Sequence, residues 1–225
     1  MSRPEVAAIS VDLDGTLYKV RRLRVALRLH SDRHLLVALL AARERIRREP
    51  PLEDGASLFR RQVDLVAPRF GWTTSETEQR LLVLKDRLPN ALTRGMRPFR
   101  GVREALGEAK LAGLKLAVLS DYAPEEKLRW LGLHELGFDV MLGADATGAL
   151  KPHPRPFESL ARALSLPPEA VLHVGDREDL DIEGALGAGL RAWRFAPAGE
   201  AETRAEHQFR AWHAGLFAPI CGEPT

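Results

Sequence analysis

Residues Val6–Tyr18 read Val-Ala-Ala-Ile-Ser-Val-Asp-Leu-Asp-Gly-Thr-Leu-Tyr. The short run rich in Val and Ala with one Ile has the length and texture of a buried strand. It ends in two aspartates one residue apart, Asp12 and Asp14, followed by Gly15 and Thr16. Carboxylates at the end of a buried strand are costly unless something pairs with them. A divalent cation would do so, because hard cations take oxygen ligands. The plain alternative is a strand entering an Asp-Gly turn, so the rest of the chain must decide.

Beyond Tyr18 the apolar spacing becomes helical. Leu23 and Leu27 lie four apart, as do Val25 and Leu29, with arginines between them. Ser31 and Asp32 suit the start of a helix reaching about Arg48, stopped by Pro50 and Pro51. A further helix fits Ala56–Val66 and ends before Pro68. Ser75 and Glu78 form a capping-box pattern ahead of Leu81, Leu82 and Leu84, and Pro89 closes that helix. Nothing between Lys19 and Gly95 has strand character. Residues 19–95 are therefore expected to form an inserted all-helical cap domain, with Leu23, Leu27, Leu36 and Leu40 in its core or on a dimer face. From Tyr18 to Gly95 there are 17 Lys/Arg against 9 Asp/Glu; the rest of the chain holds 16 against 22. A basic unit attracts phosphorylated substrates, nucleic acid or an acidic partner; the plain reading is a set of solvated helix faces.

From Arg97 helices and strands alternate. Helices fit Gly101–Ala112, Pro124–Leu133, Pro156–Leu164 and Asp179–Ala188, and strands fit Leu114–Leu119, Phe138–Leu142, Val171–Val174 and Leu190–Phe195. A C-terminal helix is expected over Glu200–Leu216. Strands separated by helices imply an α/β fold, a Rossmann-like parallel sheet core flanked by helices. That core domain is expected over residues 1–18 and 96–225, interrupted by the cap. Ligands bind such sheets at the carboxyl ends of the strands.

The single cysteine, Cys221, excludes an internal disulfide and cannot hold a metal alone. The longest apolar run of the basic region, Leu35–Ala42, is too short to span a membrane. The first residues show no signal-peptide pattern, so a cytoplasmic location is expected.

Four polar clusters fall at strand ends or just beyond them. They are Asp12-Leu13-Asp14-Gly15-Thr16, Ser120-Asp121, Lys151-Pro152-His153-Pro154, and the stretch Gly175–Asp181. In a parallel sheet all four face one crevice. They supply a candidate nucleophile, a hydroxyl donor, a fixed cation and several carboxylates, the parts that handle a phosphoryl group with a divalent metal. Singly, each has a plain reading. Ser120 is a strand-end cap, Lys151 a solvated lysine, Asp176 a turn residue, and Asp179 and Asp181 are first-turn acids of a helix. Their joint occurrence at strand ends weighs against coincidence. His173, inside a strand, reads as a core or hydrogen-bonded histidine, and His153 as a loop residue.

The set resembles the haloacid dehalogenase-like hydrolase superfamily, in the phosphatase-like branch with a helical cap after the first strand. The likeness covers Val6–Tyr18 and Arg97–Phe195 with all four motifs in order; it reaches the cap in position and helicity only. The resemblance implies Asp12 as the nucleophile that takes the phosphoryl group. Asp14 would be the acid for the leaving oxygen and then the base for water. Mg²⁺ would be held by Asp12, by the backbone carbonyl of Asp14, and by Asp176. Asp181 would be a ligand or an anchor for water. Ser120 and Lys151 would bind the phosphate, and Thr16 with the Gly15 backbone would shape the turn and orient it. Two positions depart from the pattern. Asp121 stands where Asn is common, and an acid there repels phosphate unless it points away. Arg177 stands where a small Ser is common, and would reach substrate or pair with Glu178 or Asp181.

The implied activity is a Mg²⁺-dependent phosphatase acting on a small phosphorylated metabolite through an aspartyl-phosphate. Dehalogenases of the family need no leaving-group acid and lack an aspartate at the place of Asp14. Two alternatives stay open: a sugar phosphomutase of the same superfamily, and a non-catalytic binding or regulatory module that uses the basic cap. Nucleic acid is disfavoured as a partner, since stacking aromatics are scarce in the Arg-rich segment. No membrane contact is expected, and the chain is expected to be a monomer or homodimer. Cap closure about hinges near Tyr18–Val20 and Gly95–Phe99 is expected to exclude water.

Overall fold

The computed structural model describes residues 5–52, 57–199 and 202–221. Ala8–Val11 (β1) is buried along its whole length. The remaining strands are Lys115–Ser120 (β2), Val140–Gly143 (β3), Val171–Gly175 (β4), Arg191–Phe195 (β5) and His207–Phe209 (β6). All pair in parallel in the order β3-β2-β1-β4-β5-β6. A parallel sheet is covered on both faces, which explains the near-continuous apolar run of β1.

The insertion that follows β1 contains, among the described residues, the helices Arg22–Arg28 (α1), Arg33–Arg47 (α2), Leu58–Phe70 (α3) and Thr74–Thr93 (α4). They share an apolar centre of their own, including Leu29, Leu35, Leu39, Val63, Val66, Leu81 and Leu88. The sheet is flanked by Val102–Leu111 (α5), Glu125–Trp130 (α6), Pro154–Leu164 (α7) and Glu183–Gly187 (α8). Strand side chains alternate between faces. Ile9, Val11, Leu116 and Val118 pack with Val102 and Leu106 of α5, whereas Ala8, Ala117 and Leu119 pack with Phe157, Leu160 and Leu164 of α7. The two linkers to the insertion touch each other: Tyr18 bridges Pro98, and the Phe99 N–H donates to the Leu17 carbonyl at 2.8 Å. Among the described residues no helix is long and apolar enough to cross a membrane.

Several expectations are corrected. Helix α3 runs through Pro68 and α4 through Pro89. A proline inside a helix costs about 3 kcal/mol. Here Leu88, Ala91 and Leu92, buried around Pro89, hold α4 together across it. The start of the third expected helix, Ala56, lies outside the described residues; the observed cap is Ser57, whose hydroxyl accepts from the Arg60 N–H. The cap of α4 is Thr73, accepting from the Glu76 N–H at 3.2 Å, two residues before the expected box. Leu23, Leu27 and Leu40 are 75%, 68% and 50% exposed, so they are not cap core; Val25 of α1 and Leu29 at its C-cap are the buried residues there.

The expected C-terminal helix is absent from residues 202–216, while residues 200 and 201 lie outside the described set. The chain there adds β6 to the sheet edge and then turns. Phe209, Trp212, Leu216 and Phe217 have helix-like spacing, yet they bury by packing as an aromatic cluster with Trp193 and Phe195.

Candidate functional site

β1 sits between β2 and β4, so the three strands deliver their carboxyl ends to one place. Asp12 follows β1 directly, Ser120 ends β2, and Asp176 follows β4. Lys151 enters from the loop before α7, and Asp181 from a π-helical turn, Glu178–Ile182, after β4. Asp12, Asp14, Ser120, Lys151, Asp176 and Asp181 line one crevice, together with Arg47, Asp121 and Tyr122.

Lys151 is the centre of charge. Its Nζ donates to Asp12 Oδ1 at 2.7 Å, to Asp181 Oδ1 at 2.6 Å and to the Leu119 carbonyl at 3.3 Å. All three ammonium hydrogens are therefore used. Asp12, Asp176 and Asp181 each offer an oxygen within 4.8 Å of the others. Three carboxylates against one lysine leave excess negative charge in a buried place. Burial pushes Asp12 up to about 8, against the pull of Lys151 and helped by Asp181, Asp14 and Asp176. Burial and Asp181 push Asp176 up to about 6. Burial also acts on Asp181, but Lys151 and His173 outweigh it and hold that carboxyl below the usual range. Burial opposes the charge on Lys151 as well; Asp12 and Asp181 overcome it and keep the ammonium charged. This donor set of hard carboxylate oxygens, short of positive charge, fits a divalent cation.

Local backbone makes the cluster possible. Gly15 has φ +105°, and a Cβ there would run into the Asp176 carboxylate. At Gly175 a Cβ would run into Asp181. The Thr16 hydroxyl, fully buried, lies 3.3 Å from both Asp12 Oδ2 and Asp176 Oδ1, and holds the first and fourth clusters together. Trp212, from the C-terminal segment after β6, donates its indole N–H to the Thr16 carbonyl at 3.1 Å.

Asp14 lines the same crevice but stands outside the three-carboxylate group. One of its oxygens accepts from the Tyr18 hydroxyl and the other from the Lys127 ammonium. Lys127 is completely buried on α6. Nothing in the sequence singled it out, because a lysine in a short charged helix looks solvated. Tyr18 is kept protonated by burial and by Asp14, so it remains a donor.

The two departures find partners. Asp121 is turned toward the insertion, where Arg47 pairs with its carboxylate and Arg43 donates to its carbonyl at 2.7 Å. Arg43 also stacks over Tyr122, 4.0 Å from the ring centre. Arg43 falls on the buried stripe Leu35, Ala38, Leu39, Ala42, Ile46 of α2; an arginine at that spacing was the available signal. Arg177 pairs with Asp179, at 3.0 and 2.5 Å, rather than with Glu178 or Asp181, although its backbone N–H donates to Asp181 at 3.1 Å. His173 is a core histidine, 3.0 Å from the Ser10 hydroxyl, and His153 caps α7 by accepting from the Arg155 N–H.

A parallel α/β sheet with a helical insertion after its first strand, and an aspartate–lysine crevice at its carboxyl edge, defines a class of hydrolase folds. A family model for haloacid dehalogenase-like hydrolases matches residues 6–189, and the chain belongs to that family. It is 31% identical over 194 residues to a glyceraldehyde 3-phosphate phosphatase of Methanopyrus kandleri, covering 82% of each chain. It is 28% identical over 190 residues to the pyrophosphatase PpaX of Halalkalibacterium halodurans, covering 83% of this chain and 82% of that one. Its fold matches the 2-haloacid dehalogenase of Pseudomonas syringae pv. Tomato with a TM-score of 0.67 at 23% identity, over 96% of this chain and 97% of that one.

Proposed function

We propose that the protein is a Mg²⁺-dependent phosphatase that releases inorganic phosphate from a small phosphorylated metabolite through an aspartyl-phosphate on Asp12. The observation that carries this reading is the meeting of Asp12, Asp176, Asp181 and Lys151 in one crevice that Asp14 also lines. The phosphatase names of two relatives support it.

Asp12, Asp176 and Asp181, with the Asp14 carbonyl, would hold the cation, which when bound masks phosphate charge and polarises the phosphoryl group. The residues of the chain do the rest. The Asp12 carboxylate attacks phosphorus, and the bond from phosphorus to the leaving oxygen breaks. Asp14 gives that oxygen its proton, then takes one from the water that attacks the aspartyl-phosphate. Lys151 and Ser120 stabilise charge on the transferring oxygens. Asp14 separates this chemistry from carbon–halogen cleavage, in which the departing halide needs no proton.

The test is phosphate release from a panel of phosphomonoesters, with and without Mg²⁺, beside Asp12→Asn. Mg²⁺-dependent release that the variant loses supports the reading. An Asp12→Asn protein as fast as the parent removes Asp12 as the nucleophile.

A further inference from the structure

Beside the acidic crevice lies a second cavity, of about 550 Å³, and the two share Asp14 and Tyr122. Apart from those two residues, its wall is aliphatic: Val20 from the linker, Val25 and Ala26 from α1, Leu36 and Leu40 from α2, and Leu88 and Leu92 from α4. The volume lies within the range of about 300–1,000 Å³ that holds small-molecule ligands. The cavity runs out to solvent past Leu40, which is 50% exposed.

We infer that this cavity receives the alcohol part of the substrate, and that the preferred substrates are phosphate monoesters of an apolar alcohol, alkyl or aryl. The inference rests on the phosphatase reading, in which Asp14 protonates the leaving oxygen. The group attached to that oxygen must then lie next to Asp14, on the side away from the phosphate site, and the aliphatic cavity is what adjoins Asp14 there. Its walls offer a leaving group almost nothing to hydrogen-bond. A polyol or a second phosphate placed there would lose its hydrogen bonds to water without replacing them. An alkyl chain gains by the same transfer. The names of the relatives point to polar leaving groups, so the cavity separates this chain from them in substrate class.

The experiment measures kcat/KM with Mg²⁺ for the series methyl to hexyl phosphate, whose leaving-group basicity hardly varies, with glycerol phosphate as the polar comparison. The expected result is a rise of up to about fourfold for each added methylene, the factor equivalent to about 0.8 kcal/mol for each buried CH₂. Leu40→Asp, which charges the wall, and Ala26→Trp, which fills the mouth, are each expected to lower the hexyl-to-methyl ratio at least about tenfold. Both sites are exposed, so both variants are expected to fold, and circular dichroism checks this. Leu111→Ser, at an 89% exposed site on α5, keeps the ratio. Release that is flat or falling with chain length, or fastest with glycerol phosphate, overturns the inference and leaves the phosphatase reading standing. Release from no phosphomonoester at all overturns both.

Discussion

Arg47, on the second helix of the insertion, pairs its guanidinium with the carboxylate of Asp121, the residue after β2, and donates to the Lys151 carbonyl at 3.0 Å. One side chain therefore ties the insertion to two of the loops that build the crevice. The acid that would repel phosphate is neutralised by a cation from the opposite unit. Removing one member of a mostly buried pair leaves the other uncompensated. Asp121→Ala is expected to lower stability by about 2 kcal/mol, read from the denaturation midpoint. A double-mutant cycle with Arg47→Met should show coupling of at least about 1 kcal/mol. Independent, additive effects would mean that the pair does not hold the two units together.

Asp14 is gripped through both oxygens by Tyr18 and Lys127. Lys127→Met and Tyr18→Phe are expected to slow the hydrolysis of alkyl phosphates far more than that of p-nitrophenyl phosphate. A good leaving group departs without a proton and does not need a well-placed acid. Asp14→Asn should show the same contrast in full, with a loss of about 10²–10⁴ on alkyl esters. Equal losses on both substrates would reduce Lys127 and Tyr18 to general structural roles.

The excess negative charge makes a pH signature. Asp12 and Asp176 rise from 3.8 to about 8 and about 6 on folding, chiefly through burial. A carboxyl with a raised folded pKa binds protons more tightly folded than unfolded. These two carboxyls therefore remove stability from the metal-free protein as pH climbs from about 4 to about 8, opposed up to about 6.5 by His173 and His153, whose imidazoles burial holds below the ordinary value. Lys151, held charged, does not change over that window, and the contribution of Asp181, whose folded value is lowered, is lost only below it. Asp12→Asn is expected to flatten the fall of Tm with pH and to raise Tm at pH 8. A metal-free Tm that rises between pH 5 and 8, with no flattening in the variant, would contradict this.

Metal binding has the opposite slope. Ligands must be deprotonated to bind, so Mg²⁺ affinity should increase from pH 5 to pH 8, by calorimetry. Asp176→Asn should weaken it at least about tenfold. Unchanged affinity in that variant would place the cation elsewhere.

The sheet and the four clusters were legible because both depend on local sequence: apolar runs make strands, and polar residues at their ends share an edge once the strands are parallel. What escaped depends on distant contacts. Pro68 and Pro89 look like helix ends, but packing holds α3 and α4 through them. Phe209, Trp212 and Leu216 mimic a helical stripe because an irregular segment can also bury every third or fourth residue. Lys127 carried no sequence signal, since its partner lies 113 residues away. Arg43 did carry one, a cation on the apolar stripe of α2, but the surrounding arginines concealed it.

The central claim is a covalent phosphoryl group on Asp12, and the direct measurement is acid quenching within the first turnover followed by mass spectrometry of the peptides. With Mg²⁺ and a hydrolysed phosphomonoester, the peptide containing Asp12 should carry one phosphoryl group, which Asp12→Asn abolishes along with turnover. Phosphate release that continues while the Asp12 peptide stays unmodified at every quench time, or that survives in the variant, would contradict the account.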